Sequence, residues 1–224
     1  MNSLKITILA ILIHVNVFSQ TNNEKKLRGA EPYPAPVSYE NISLEQAEFI
    51  KLFEDKDVSN LHVYPLVKQT EGSAFLQGKT IDSGFSNLLE SSLSKQTFIT
   101  NAEPKAVFRI RGEGEEYYII RLPAEVSEGE IALYGWNNGK LQKKQKLASY
   151  SCKRNHCTQV DSWIQDVNGD TRLDIIQIKK TTRKNGKKVR IDKNVYLMDN
   201  NGLLKKSNTQ QVDFADYQTQ DLSL

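Results

Sequence analysis

The sequence predicts a mainly β protein with a minor α part: an antiparallel, blade-like meander, not a complete propeller, behind a short helical N-terminal part. Three observations predict it. From Lys105 onward, apolar residues recur at every second position. Turn signals punctuate that alternation at Gly112-Glu113-Gly114-Glu115, Asn137-Asn138-Gly139 and Asn200-Asn201-Gly202. A single helical repeat, Leu44, Ala47, Ile50 and Phe53, stands ahead of them.

Composition sets the frame. The chain has 224 residues, 38% hydrophobic and 25% charged, which is ordinary for a soluble globular protein of one or two domains. A net charge of +3 is too small to argue for nucleic acid, and the aromatic residues do not interleave with the basic ones as a stacking platform requires.

Residues 1–19 read as a signal peptide. Lys5 is the positive n-region, Ile6 to Val17 the apolar run, and Val17-Phe18-Ser19-Gln20 a small-residue cut site. The run is too short to span a membrane. The expectation is a secreted or periplasmic mature protein with no membrane span after cleavage.

Residues 20–40 carry Pro32, Pro34 and Pro36 and read as a linker. Residues 41–100 form a helical or mixed N-terminal part. Ser43 and Gln46 make a capping box for a helix from about Leu44 to Asp55. Leu61 to Val67 is β-prone, but Pro65 demotes it to an edge or a bulge. His62, inside it, reads as a strand histidine with one face in water. Ile81 to Leu93 is ambiguous: Asp82 suits a cap for a helix with Phe85, Leu88, Leu89 and Leu93 on one face, and the serines there weaken that pattern.

Residues 101–210 are the β-rich region. Strands are expected over Ala106–Arg111, Glu116–Leu122, Glu130–Trp136, Lys140–Ala148, Thr158–Gln165 and Leu173–Thr182. Three more are expected over Lys188–Asp192, Asn194–Met198 and Leu203–Lys206. Ile131 to Lys143 echoes Val195 to Lys206, each strand leading into an Asn-Asn-Gly turn. Residues 211–224 read as a polar tail with a weak pattern around Val212 and Phe214.

Two motifs carry chemistry. Cys152 and Cys157 are an even pair in an exported chain, which favours a disulfide pinning two strand ends. The alternative is a zinc site that adds His156, with no obvious fourth ligand. The second motif is DVNGDTRLD. Asp166, Asn168, Asp170 and Asp174 stand at positions 1, 3, 5 and 9, a spacing that gathers hard oxygen ligands around one cation, Ca²⁺; the alternative is an Asx-rich turn whose carboxylates are satisfied by backbone amides. Gln177 holds position 12, where an EF-hand needs a bidentate Glu, so the site fits a strand-loop-strand setting. The loop follows the cysteine pair closely in sequence, so disulfide and ion are expected to fasten the same part of one sheet.

The loop and its flanks resemble the FG-GAP and VCBS repeats. The matching residues are Asp166, Asn168, Gly169, Asp170, Asp174 and Ile175, with the VYLMDNNG hairpin beyond. The resemblance covers about a third of the chain. It implies a structural Ca²⁺ held between two strands of a blade, with the Arg172 carbonyl adding a backbone oxygen. It also makes residues 101–210 an FG-GAP-like domain. The family usually has Gly where Thr171 stands, so the sequence predicts either another path for the loop or a weakened affinity. The Ser19-Gln20 junction resembles the export signals of Bacteroidetes.

Other chemistry is sparse. After signal cleavage the histidines are His62 and His156, and neither lies in an H-E-x-x-H or nucleophile-elbow pattern. No Gly-rich phosphate loop is present. Glu113, Glu115 and Glu116 are close but lie in a turn. Lys179 to Lys193 is basic. Lys184, Lys187, Lys188 and Arg190 are candidate anion-binding residues, for a polysaccharide or lipid headgroup, against the plainer reading of a solvated hairpin tip.

The expected function is an exported, non-catalytic binding or interaction module, stabilised by Ca²⁺ and a disulfide, with a protein or polysaccharide partner. The alternatives are a secreted hydrolase with paired carboxylates and an inhibitor or immunity-type partner of a secreted protein.

Overall fold

The computed structural model describes residues 42–57, 59–66, 76–94, 103–112, 115–122, 129–183 and 189–222. The signal peptide and linker readings, and Lys184, Lys187 and Lys188, lie outside the described residues.

Helix α1 (Leu44–Ile50) starts at the expected capping box: Ser43 Oγ accepts from Gln46 N at 3.1 Å, and Gln46 Oε1 accepts from Ser43 N at 3.0 Å. It ends at Ile50, short of Asp55, because the next residues leave it for a sheet. Strand β1 (Glu54–Lys56) pairs in parallel with a later strand, and Arg109 Nη2 fixes Asp55 at 2.7 Å. Leu44, expected on the buried face, is 80% exposed; Phe49 takes its place in the core. Strand β2 (Leu61–Val63) is short and stops ahead of Pro65. Strand β3 (Lys79–Thr80) leads to a 3₁₀ helix, Ser83–Leu88, capped by Asp82 through Gly84 N at 2.8 Å. The ambiguous stretch is thus helical, but in the tighter 3₁₀ form.

The sheet proper is a meander of β4 (Lys105–Arg111), β5 (Glu116–Arg121), β6 (Ile131–Asn137), β7 (Lys140–Lys153), β8 (His156–Gln165), β9 (Asp174–Arg183), β10 (Val189–Met198) and β11 (Leu204–Ser207), each antiparallel to the next. The parallel β1–β4 pair makes the sheet mixed, and it remains open. Asn138 (φ 49°) and Gly139 (φ 74°) supply the two positive φ angles that the β6–β7 turn needs.

Strand β7 has 14 residues, runs past the expected end at Ala148 and changes partner there. It pairs with β6 as far as Ala148↔Ile131 and with β8 from Ser149↔Val160 onward. Register shifts beside Ile131 and Leu133 loosen the pairing along the first stretch. Where β7 leaves β8, β2 takes over, with Leu61↔Ile164 and Val63↔Ser162. The sheet therefore has two halves that share one strand.

Strand parity sorts the side chains into three layers. Between the halves, Phe108, Tyr117 and Ile119 from the first meet Ile164, Ile175 and Met198 from the second. On the outer side of the first half, Tyr118, Ile120 and Tyr134 are covered by Phe49, Phe53 and Leu89 from the N-terminal part. On the outer side of the second half, Trp163, Ile176 and Val195 are covered by Val212, Phe214 and Tyr217 of the tail. Strand β10 is continuous, where two strands were expected. Lys193, the polar residue in its outward series, stays paired with Ile178 and lies under the Phe214 ring, 4.9 Å from its centre.

Candidate metal centre

The acidic loop joins β8 to β9, and the pair Gln165↔Asp174 closes the ladder beneath it. Asp166 organises it through the backbone. One oxygen accepts from Gly169 N (2.7 Å) and Asp170 N (3.1 Å), the other from Thr171 N (2.9 Å). Asn168 Oδ1 accepts from Asp170 N at 3.1 Å, and Asn168 Nδ2 donates to Asp170 Oδ2 at 2.9 Å. Asp170 Oδ1 accepts from Arg172 N at 3.0 Å. Asp174 is fully buried; its oxygens accept from Met198 N (2.9 Å) and Val167 N (3.1 Å), tying the loop to β10.

The path needs positive φ at Gly169 (79°) and at Thr171 (65°). Thr171 thus occupies the left-handed region despite its branched Cβ. Of the two outcomes that the sequence left open, a different path at this residue is not the one taken.

Asp166, Asp170 and Asp174 each present an oxygen, and these atoms lie within 4.8 Å of one another. Two Ca²⁺–oxygen bonds of about 2.3–2.6 Å span that separation around one ion. Each carboxylate oxygen that accepts one N–H keeps a further lone-pair direction. The donor set is all oxygen and anionic, so these residues fit a hard divalent cation. Burial pushes the Asp174 carboxyl up, and the charges of Asp170 and Asp166 add to that; the Met198 and Val167 amides oppose it.

The Arg172 side chain also reaches the loop. Its Nε lies 3.5 Å from Asp170 Oδ2, and Nη1 donates to Met198 O at 3.4 Å. The repeat resemblance implies a carbonyl ligand at Arg172 and says nothing of this side chain, whose bond to Met198 O depends on β10.

Next to the loop is a cleft of about 270 Å³ between the β4–β5 and β10–β11 turns, lined by Glu115, Tyr117, Arg172, Leu173 and Asp199 among others. Its carboxylates are engaged by the fold. Glu115 accepts from the Tyr117 hydroxyl. Lys205 bonds Asp199 at 2.8 Å and, with the Leu203 and Asn201 amides, brings it down to about 2.

The other expected residues lie elsewhere. Cys152 and Cys157 face each other across β7 and β8 and are joined, Sγ–Sγ 1.99 Å, so neither is a thiolate ligand for zinc. They sit at the start of β8, and the acidic loop sits at its end, so the two do not fasten the same part of the sheet. At the rise of a strand, roughly 30 Å separates them. His62 is half-buried, stacked on Trp163 at 4.2 Å, with Nε2 3.2 Å from Asp161 Oδ2. Asp161 is fully buried and also accepts from Gln159 Nε2 and Gln220 N, at 2.9 and 2.7 Å. Sequence reading missed this cluster, because residues 62, 161 and 220 are far apart in the chain. Arg190 is exposed and pairs with Asp192 at 2.9 Å.

Among known proteins, no family model, no curated protein and no solved structure matches this chain.

Proposed function

We propose that the protein is an exported, non-catalytic β-rich binding module in which the FG-GAP-like loop 166–174 holds a structural Ca²⁺. The observation that carries this reading is the convergence of three carboxylate oxygens within 4.8 Å at a strand-to-strand corner. Asp166, Asp170 and Asp174 are the side-chain ligands, with Asn168 Oδ1 beside them. A bound dication supplies the charge that three gathered carboxylates otherwise lack. Arg172 offsets part of that charge through Asp170, and Asp174 transmits the loop's order to β10 through Met198 N. The disulfide is in keeping with an oxidising compartment.

The module reading is preferred to a hydrolase because the cleft's carboxylates are engaged within the fold, Glu115 by the Tyr117 hydroxyl and Asp199 by the amides of the β10–β11 turn. Calorimetry and thermal melts test the Ca²⁺ site. Ca²⁺ should bind once per chain and raise the melting temperature, and Asp170→Asn should lose most of both effects. No heat of binding and no thermal shift would sink the proposal.

A further inference from the structure

Strand β10 is covered unequally. Along one flank it pairs with β9 from Val189 to Tyr196. Along the other, β11 covers Val195 to Met198. Among the described residues no strand covers that second flank from Val189 to Asn194. A bare strand flank presents a row of unpaired N–H and C=O groups, a template for another strand.

The side chains around this edge define what fits it. Val195 belongs to the outer-face cluster, so by parity Val189, Ile191 and Lys193 point to that same face. Val189 is 49% exposed and Ile191 53%, so the apolar face runs on past the end of the tail's cover. On the inner face Arg190 and Asp192 stand opposite Thr181 and Lys179. Across the two arms, 179–183 and 189–193, Lys179, Lys180, Arg183, Arg190 and Lys193 face the one acid, Asp192.

We infer that the β10 edge, Val189–Asn194, is a docking site for an extended acidic peptide segment of a partner protein, added to the sheet as a further strand. Alternation in the added strand sets apolar, β-branched residues beside Val189 and Ile191, and acidic residues beside Arg190. A second copy of this chain would bring the same cations against each other, which disfavours self-pairing. A lipid or polysaccharide surface answers the charge but leaves the row of backbone groups unpaired.

The inference deepens the binding-module reading and rests on it, but the two fail separately, since the Ca²⁺ titration does not read the edge. The test uses the full mature chain and a labelled peptide of alternating valine and glutamate, followed by fluorescence anisotropy at low salt. Two further peptides carry N-methyl groups on the glutamates alone or on the valines alone. Successive residues of a strand aim their N–H groups to opposite sides, so only one series should lose binding, by about tenfold or more, while the other keeps it. Arg190→Glu and Ile191→Lys, both at exposed positions, should each weaken the parent peptide with an unchanged circular dichroism spectrum. Hydrogen exchange should slow at 189–194 when the peptide is bound. The inference is overturned if the parent peptide does not bind, or if both methylated series bind as it does. It also falls if polyglutamate or phosphatidylserine vesicles compete as well as the peptide, or if sedimentation shows a dimer that closes the edge.

Discussion

Thr171 has a φ of 65°, in a region where a β-branched side chain is strained by about 1–3 kcal/mol. Its hydroxyl donates to Asp170 O at 2.6 Å, an exposed bond that glycine loses. Its N–H donates to Asp166 Oδ2 at 2.9 Å, a bond that glycine keeps. Glycine also loosens the unfolded chain, by about 0.4–1 kcal/mol. The lost hydroxyl bond takes back about 0.5–1.5 kcal/mol, so Thr171→Gly should raise stability by at most about 1 kcal/mol in urea titration, and tighten Ca²⁺ if the loop holds it. An unchanged or lower midpoint would show that the fold absorbs the strain elsewhere. The conflict at this residue was legible in the sequence, because the turn asks for one backbone conformation and the side chain prefers another. The burial of Asp174 and the direction of Arg172 were not legible. Both depend on Met198, which is 24 residues from Asp174 and reaches the loop only through pairing of β9 with β10.

Elements were legible where local rules and packing agree. The capping box starts α1, and Asn138-Gly139 turns β6 into β7, since each is decided by neighbours in sequence. The end of α1 was not, because its would-be last turn is claimed by pairing with β4 through Asp55 and Arg109. Nor was the length of β7: its second half alternates less clearly, and β8 and the disulfide hold it in the sheet. That crosslink closes a short ring, worth about 2 kcal/mol in the loop-entropy model. Replacing Cys152 and Cys157 together by serine should lower the unfolding free energy by about that much, with the rest of the fold intact by hydrogen exchange. A much larger loss would mean that the tip of the β7–β8 hairpin nucleates the second half-sheet.

At the scale of the molecule, the layering has one cover that sequence reading treated as a plain tail. Phe214 and Tyr217 close the outer face over Trp163, and Gln165 Nε2 donates to the Tyr217 hydroxyl at 2.7 Å. These residues sit in a polar stretch whose pattern around Val212 and Phe214 is weak, so the local sequence marks them only faintly as packing residues. Phe214→Ala with Tyr217→Ala should cost about 2–4 kcal/mol, less than full core truncations because both rings are only partly buried. The emission of Trp163 should shift to the red as water reaches it, and an unshifted spectrum would count against the tail as a cover. Strand β8, which lies beneath this tail, carries a covalent crosslink at its beginning and the acidic loop at its end. Perturbations more than about 10 Å apart, with no shared partner, combine additively. If the loop holds a cation, reduction and chelation, applied singly and then together, should therefore lower stability by amounts that simply sum. The thermodynamic cycle built from them should close with a coupling energy of about zero.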